Sequence, residues 1–301
     1  MRTAANWFDE GLAALELARG ADHVSELMGD YERAVHAFEQ ALALDPTHSR
    51  AIRERALTLA ALHQPEAALD ALVVAVKLEP DDPTLRLAAA HALVSLKRTE
   101  AALETFEAVL RLSADSRALL GRAQMLSALR RDAEAVTAWD AVLSGPKDPF
   151  TAEAGGPQAL LARATSLAHL EKPEASDAFT SAFKGDHLRP EDLLAALREF
   201  EVARLAYRAH LERNPSARAL HQAALAWNAL GLHPEAIRSW ERLVLVEPNA
   251  PWAWAGKGKA HEDAGELEGA LAAWERALAL WPQSPGAAEA IARVRKASGL
   301  A

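Results

Sequence analysis

Residues 231–248 read GLHPEAIRSWERLVLVEP, and residues 265–282 read GELEGALAAWERALALWP. The two stretches lie 34 residues apart and share Gly, Ala, Trp, Glu, Arg and the closing Pro without a gap. Each has the apolar spacing of an amphipathic helix, and the proline stops it. A chain that repeats a helix at fixed spacing is an array, in which stacked copies bury the apolar face that one copy leaves exposed. The duplication extends upstream, where AVHAFEQALALDP (34–46) is followed by AALDALVVAVKLEP (67–80). Pro46 to Pro80 and Pro248 to Pro282 each span 34 residues, and Pro215 to Pro248 spans 33. A second helix precedes each of these, as in ARALHQAALAWNALG (217–231).

The pattern resembles the tetratricopeptide repeat family, a 34-residue helix–turn–helix unit. The resemblance implies a large residue at position 4, small residues at 8, 20 and 27, aromatics at 11 and 24, and Pro at 32. In residues 217–250 those positions hold Leu220, Ala224, Trp227, Ala236, Trp240, Leu243 and Pro248. In 251–284 they hold Trp254, Gly258, His261, Ala270, Trp274, Ala277 and Pro282. Small residues suit the crossing of two helices, and an aromatic fills the space beside them.

The remaining units are less regular. Residues 49–82 keep Ala56, Ala68, Leu72, Ala75 and Pro80; residues 83–115 keep Ala90, Ala102 and Phe106; residues 116–149 keep Ala123, Ala135 and Trp139. Residues 157–183 keep Ala164 and Phe179, and residues 184–216 keep Ala203, Tyr207 and Pro215 behind a shortened first helix that begins near Pro190. In the first unit, 3–48, Trp7 and Gly11 take positions 4 and 8. About three helical turns too many then precede Gly29-Asp30-Tyr31, where the inter-helix turn is expected. This predicts a lengthened leading helix, with Gly20 as a place for it to bend. Asp82 and Ser284 stand before first-turn prolines as caps, and Ser49, Ser116 and Ser216 precede other leading helices.

The expected architecture is an all-α, right-handed superhelical solenoid of about eight such repeats. It divides into an N-terminal block (1–143), a loop or linker (144–157, SGPKDPFTAEAGGP), a C-terminal block (158–284) and a capping helix (285–301). The linker reads either as an insertion between stacked repeats or as a hinge or partner-binding loop.

Composition narrows the function. The 301 residues contain no cysteine, which excludes disulfides, thiolate zinc sites and a cysteine nucleophile. The net charge of −9 comes without a long basic block, so a nucleic-acid interface is not expected. The longest apolar runs, such as ALVVAV (71–76), are too short to span a bilayer, and the first residues carry no signal-peptide core. A cytoplasmic protein is expected. AWAGKGKAHE (253–262) imitates a phosphate loop, but it lies within a helix, with Gly258 at a packing position. The eleven histidines have no pair at helical ligand spacing, and neither metal nor cofactor is expected.

The resemblance implies a non-enzymatic scaffold or adaptor that holds an extended peptide or a partner helix in a concave groove. Self-assembly into a homo-oligomer and a role as an enzyme's regulatory subunit are the alternatives. In the family the groove is lined by positions 2, 5, 6, 9, 12 and 13 of the leading helices. Transferred here, these give Arg50, Arg53, Glu54, His91, Arg117, Gln124, Gln158, Arg218, His221, Gln222, Asn228, Trp252, Lys259, Glu262 and Asp263. Arg at position 2 in three repeats reads either as solvated surface charge or as a preference for acidic or C-terminal carboxylate groups. Trp252 reads either as shielded by the neighbouring helix or as a hydrophobic anchor.

Overall fold

The computed structural model describes residues 2–21, 23–145, 156–184 and 188–299. These residues form seventeen α-helices and no strand, in two compact units, residues 1–155 and 156–301. The first unit holds α1 (Ala4–Arg19), α2 (Val24–Leu44), α3 (Ser49–Ala61), α4 (Pro65–Leu78), α5 (Pro83–Ser95), α6 (Thr99–Leu112), α7 (Ser116–Ala128) and α8 (Asp132–Ser144). The second holds α9 (Pro157–His169), α10 (Ala175–Phe183), α11 (Pro190–Glu199), α12 (Glu201–Arg213), α13 (Ala217–Ala229), α14 (His233–Val246), α15 (Pro251–Asp263), α16 (Leu267–Leu280) and α17 (Pro285–Ala297). Of the expected linker, residues 146–155 lie outside the described residues.

One turn recurs through both units. The fifteenth residue of a repeat takes a left-handed conformation at His63, Lys97, Arg130, Glu171, Gly231 and Gly265, with φ between 52° and 77°. Each turn makes the same pair of hydrogen bonds. At the first, His63 N donates to Ala60 O and Gln64 N to Leu59 O; at the second, Lys97 N donates to Val94 O and Arg98 N to Leu93 O. This is the Schellman closure, which satisfies carbonyls left open at a helix end and turns the chain back on itself. The trailing helices end differently. Pro46, Pro80, Pro248 and Pro282 follow one residue past the cap and cannot continue a helix.

The core follows from the small and aromatic positions. Ala224, Ala236, Leu220 and Leu243 are fully buried, and Trp227 and Trp240 nearly so. The aromatic at position 24 lies against a small residue of the next leading helix. A Cβ on Gly121 would stand 2.3 Å from the Phe106 ring, and one on Gly256 would stand 2.4 Å from the Trp240 ring. Outside this seam, a basic residue at position 7 meets a glutamate at position 25 of the preceding repeat. The pairs are Arg55–Glu39 at 2.8 Å, Arg122–Glu107 at 3.3 Å and Lys257–Glu241 at 3.4 Å. Such pairs contribute at most about 1 kcal/mol each and act mainly to fix register. The last helix, α17, buries Ala287, Ala290, Ile291 and Val294. Its Arg293 and Arg295 reach back to Glu262 and Glu275.

The structure corrects the sequence reading in two places. In the first repeat α1 ends at Arg19 and α2 begins at Val24, so Gly29, Asp30 and Tyr31 lie inside α2 and not in the inter-helix turn. The surplus is shared, with α1 at 16 residues and α2 at 21, so the trailing helix takes most of it. Gly20 ends α1, where its N–H bonds back to Leu17 O, instead of bending a longer helix. The second correction concerns caps. His48 and Asp115 cap α3 and α7, leaving Ser49 and Ser116 as first helical residues. Asp82, Ser216 and Ser284 do cap their helices. The shortened α11 begins at Pro190, and a single extended residue, Phe200, joins it to α12.

Candidate functional site

In the first unit the leading helices α3, α5 and α7 together line a cleft of about 660 Å³. Helix α3 contributes Leu57 and Ala60; α5 contributes Thr84, Leu87, Ala88, His91, Ala92, Val94 and Ser95; α7 contributes Arg117. His63 and Pro65 close one end from the α3–α4 turn. Residues at i, i+3, i+4 and i+7 share a helix face, so stacked leading helices turn one stripe each to the same side. The cleft has an apolar floor with hydroxyl, imidazole and guanidinium groups at its margin, the composition of a binding site.

Two of the sequence-derived candidates, His91 and Arg117, meet at this cleft. Asp115, which caps α7 through the N–H groups of Arg117 and Ala118, also holds the Arg117 guanidinium at 2.7 and 3.2 Å. The hydrogen bond from Arg117 keeps the Asp115 carboxyl below its usual range, against the effect of burial. The His91 and Phe106 rings meet nearly at right angles, centroids 5.5 Å apart. Burial pushes the His91 imidazole pKa down, Arg117 pushes it further, and Asp115 opposes both.

The other first-unit candidates stand apart from the cleft. Arg50 is exposed, with its guanidinium 5.0 Å from the centre of the Phe8 ring. Arg53 is tied to Asp82 at 2.8 Å and Glu79 at 3.0 Å, with Glu54 at 3.7 Å, which fixes it as a brace between α3 and the segment that follows α4. Gln124 is exposed on α7. The cleft floor was absent from the sequence candidates, although Leu57, Thr84, Leu87, Ala88, Val94 and Ser95 occupy positions 9, 2, 5, 6, 12 and 13. The positional rule applied to apolar residues as well as polar ones finds them.

In the second unit, Trp252 at the start of α15 is 47% exposed. His221 of α13 packs edge-on against it at 4.9 Å and also meets Trp240 at 5.5 Å. The shielding of Trp252 by the neighbouring leading helix is therefore partial. Burial lowers the His221 pKa, opposed by Glu247. Leu225 on the same helix is 51% exposed and extends the apolar surface. Arg218 is exposed and Gln222 half-buried on α13. Asn228 is half-buried with its Oδ1 lacking a hydrogen-bond partner. Lys259 pairs with Asp263 at 2.5 Å, and Glu262 with Arg293 at 2.6 Å. Gln158 is half-buried on α9. Among the described residues no group of three or more His, Asp or Glu is placed to hold a metal ion. No described helix is long and apolar enough to cross a membrane.

A tetratricopeptide repeat family model matches residues 28–83, 87–150 and 229–288. No curated protein sequence matches the chain. Among solved structures, the chain is similar to a tetratricopeptide repeat protein from Parabacteroides merdae, at 14% identity over 95% of this chain and 99% of that one, with a TM-score of 0.45. It is similar to yeast Tom70 at 17% identity over 99% of this chain and 64% of that one, with a TM-score of 0.42. It is also similar to YrrB, described as a TPR protein with an unusual peptide-binding site, at 18% identity over 74% and 98%, with a TM-score of 0.32.

Proposed function

Because the chain belongs to the tetratricopeptide repeat family, we propose that it is a protein-interaction scaffold whose first unit holds an extended peptide or a partner helix in the cleft of α3, α5 and α7. The observation that carries this reading is the cleft's lining: Leu57, Leu87 and Val94 form an apolar floor on the face shared by three leading helices. Burying two or three apolar side chains there contributes about 1.5–3 kcal/mol each before ordering costs. The charge on that face favours an acidic partner. No Asp or Glu lines the cleft, whose one guanidinium, Arg117, is already paired with Asp115, so an acidic partner meets an imidazole-bearing margin without carboxylate repulsion from the lining.

The test is selection of a random dodecapeptide library on the intact protein, followed by rebinding to a Thr84→Glu/Ser95→Glu variant. Both positions are exposed on the cleft margin, so the fold is left alone while acid is added. The reading expects peptides rich in apolar and acidic residues whose affinity drops at least tenfold on the variant. Selected peptides that bind both proteins equally would remove the cleft from the function.

A further inference from the structure

The cleft contains a residue that can tell an acidic ligand from a neutral one. No Asp or Glu lines it, although the chain carries 42 acidic residues to 33 basic ones. Its charged or titratable lining residues are His63, His91 and Arg117. Arg117 is already gripped by Asp115, so much of its charge is answered within α7. The groups facing His91 come from each neighbouring element. Helix α7 and its cap supply Arg117 and Asp115, α6 supplies the Phe106 ring, and α3 supplies the uncharged Leu57 and Ala60. His63 stands in the α3–α4 turn. His91 on α5, set beside Arg117 and the Phe106 ring, is a group whose charge can change near neutral pH.

We propose that His91 is the specificity-determining residue of the cleft, selecting an apolar segment that carries a carboxylate beside the imidazole and taking up a proton as that segment binds. The inference rests on the scaffold reading above. In the free protein, partial burial of a His91 side chain that stays exposed on one side, and then Arg117, disfavour the imidazolium. A bound carboxylate reverses this balance, because a nearby opposite charge favours the charged form. By linkage, the raised pKa of the bound state adds affinity that is fully present below the free-state pKa and is lost as pH rises through the bound-state pKa. An uncharged apolar segment does the opposite. It buries the imidazole further and binds more weakly as pH falls. The sign of the pH dependence thus reports the ligand's chemistry.

The probe is an array of apolar nonapeptides synthesised in pairs, each Glu- or Asp-containing member beside its Gln or Asn twin. The full chain is applied at pH 8 and at pH 6, alongside His91→Gln, His63→Gln and Thr84→Glu/Ser95→Glu variants. The expected result is that acidic members outbind their twins, by a ratio that grows up to about tenfold per pH unit on acidification. Growth of the ratio disappears in His91→Gln and persists in His63→Gln. Titration of the His91 ring by NMR gives the second readout, with its midpoint moving upward on adding the best acidic peptide. Twins that bind alike at both pH values, a ratio that still grows in His91→Gln, or an unmoved His91 midpoint would overturn the proposal. Loss of all cleft-dependent binding is a different outcome. If no array member is sensitive to the Thr84→Glu/Ser95→Glu change, the scaffold reading itself falls, and this inference with it.

Discussion

At the scale of single residues, stability depends on where the backbone and a Cβ have room. Lys97 and Arg130 hold φ of 57°, a conformation that costs an L-residue roughly 1–2 kcal/mol and glycine little. Lys97→Gly is therefore expected to raise stability by up to about 1 kcal/mol, after subtracting the entropy glycine adds to the unfolded chain. A urea midpoint that moves downward would contradict the turn as described. Gly256 is the opposite case, because its missing side chain makes room for Trp240. Gly256→Ala is expected to cost about 1–3 kcal/mol through overpacking, read by the same denaturation curve. Sequence showed half of this. Gly231 and Gly265 announce the left-handed turn, but His63, Lys97, Arg130 and Glu171 give no such signal, because a strain of this size is tolerated where the next helix packs well. His91 was legible as a groove position from the repeat register alone. Its partners were not, since Phe106 and Asp115 come from other helices and have no spacing that points to it.

At the scale of elements, the first repeat is the informative failure. Its eleven extra residues fit a helical register, so the sequence allowed them to lengthen either helix, and Gly29-Asp30 looks like a turn by composition. The chain instead turns at Gly20 and runs α2 for 21 residues through Gly29. Asp30 is buried there and pairs with Arg33 one turn on, which suits a helix interior. The consequence is testable by one substitution. A Cβ on Gly29 meets nothing within 4 Å, so Gly29→Ala is expected to stabilise α2 by about 0.5–1 kcal/mol. A loss of stability would restore the turn to residues 29–31. Caps show a similar limit. Ser49 and Ser116 looked like caps, yet the preceding His48 and Asp115 accept the orphan N–H groups, and a choice between adjacent residues is set by one residue of register.

At the scale of the whole molecule, the repeat period carried nearly all of the architecture. Trp240 and Trp274 at equal positions, with Pro248 and Pro282 closing their helices, are enough to require stacked helix pairs. The functional surface is harder to read because it is made by faces and not by motifs. Leu57, Leu87 and Val94 are ordinary apolar residues in sequence, and they become a floor only when α3 and α5 align side by side. Arg53 shows the reverse, a groove arginine by position that the fold commits to Asp82 and Glu79. The central claim is that the first unit binds through its leading-helix cleft. It is tested most directly by photo-crosslinking: a selected dodecapeptide bearing a benzophenone is bound to the full chain, irradiated, and the attachment sites are mapped by mass spectrometry. Attachment is expected within residues 49–61, 83–95 and 116–128, concentrated around Leu57, Thr84 and His91. Attachment confined to α4, α6 and α8, or to the second unit, would contradict it.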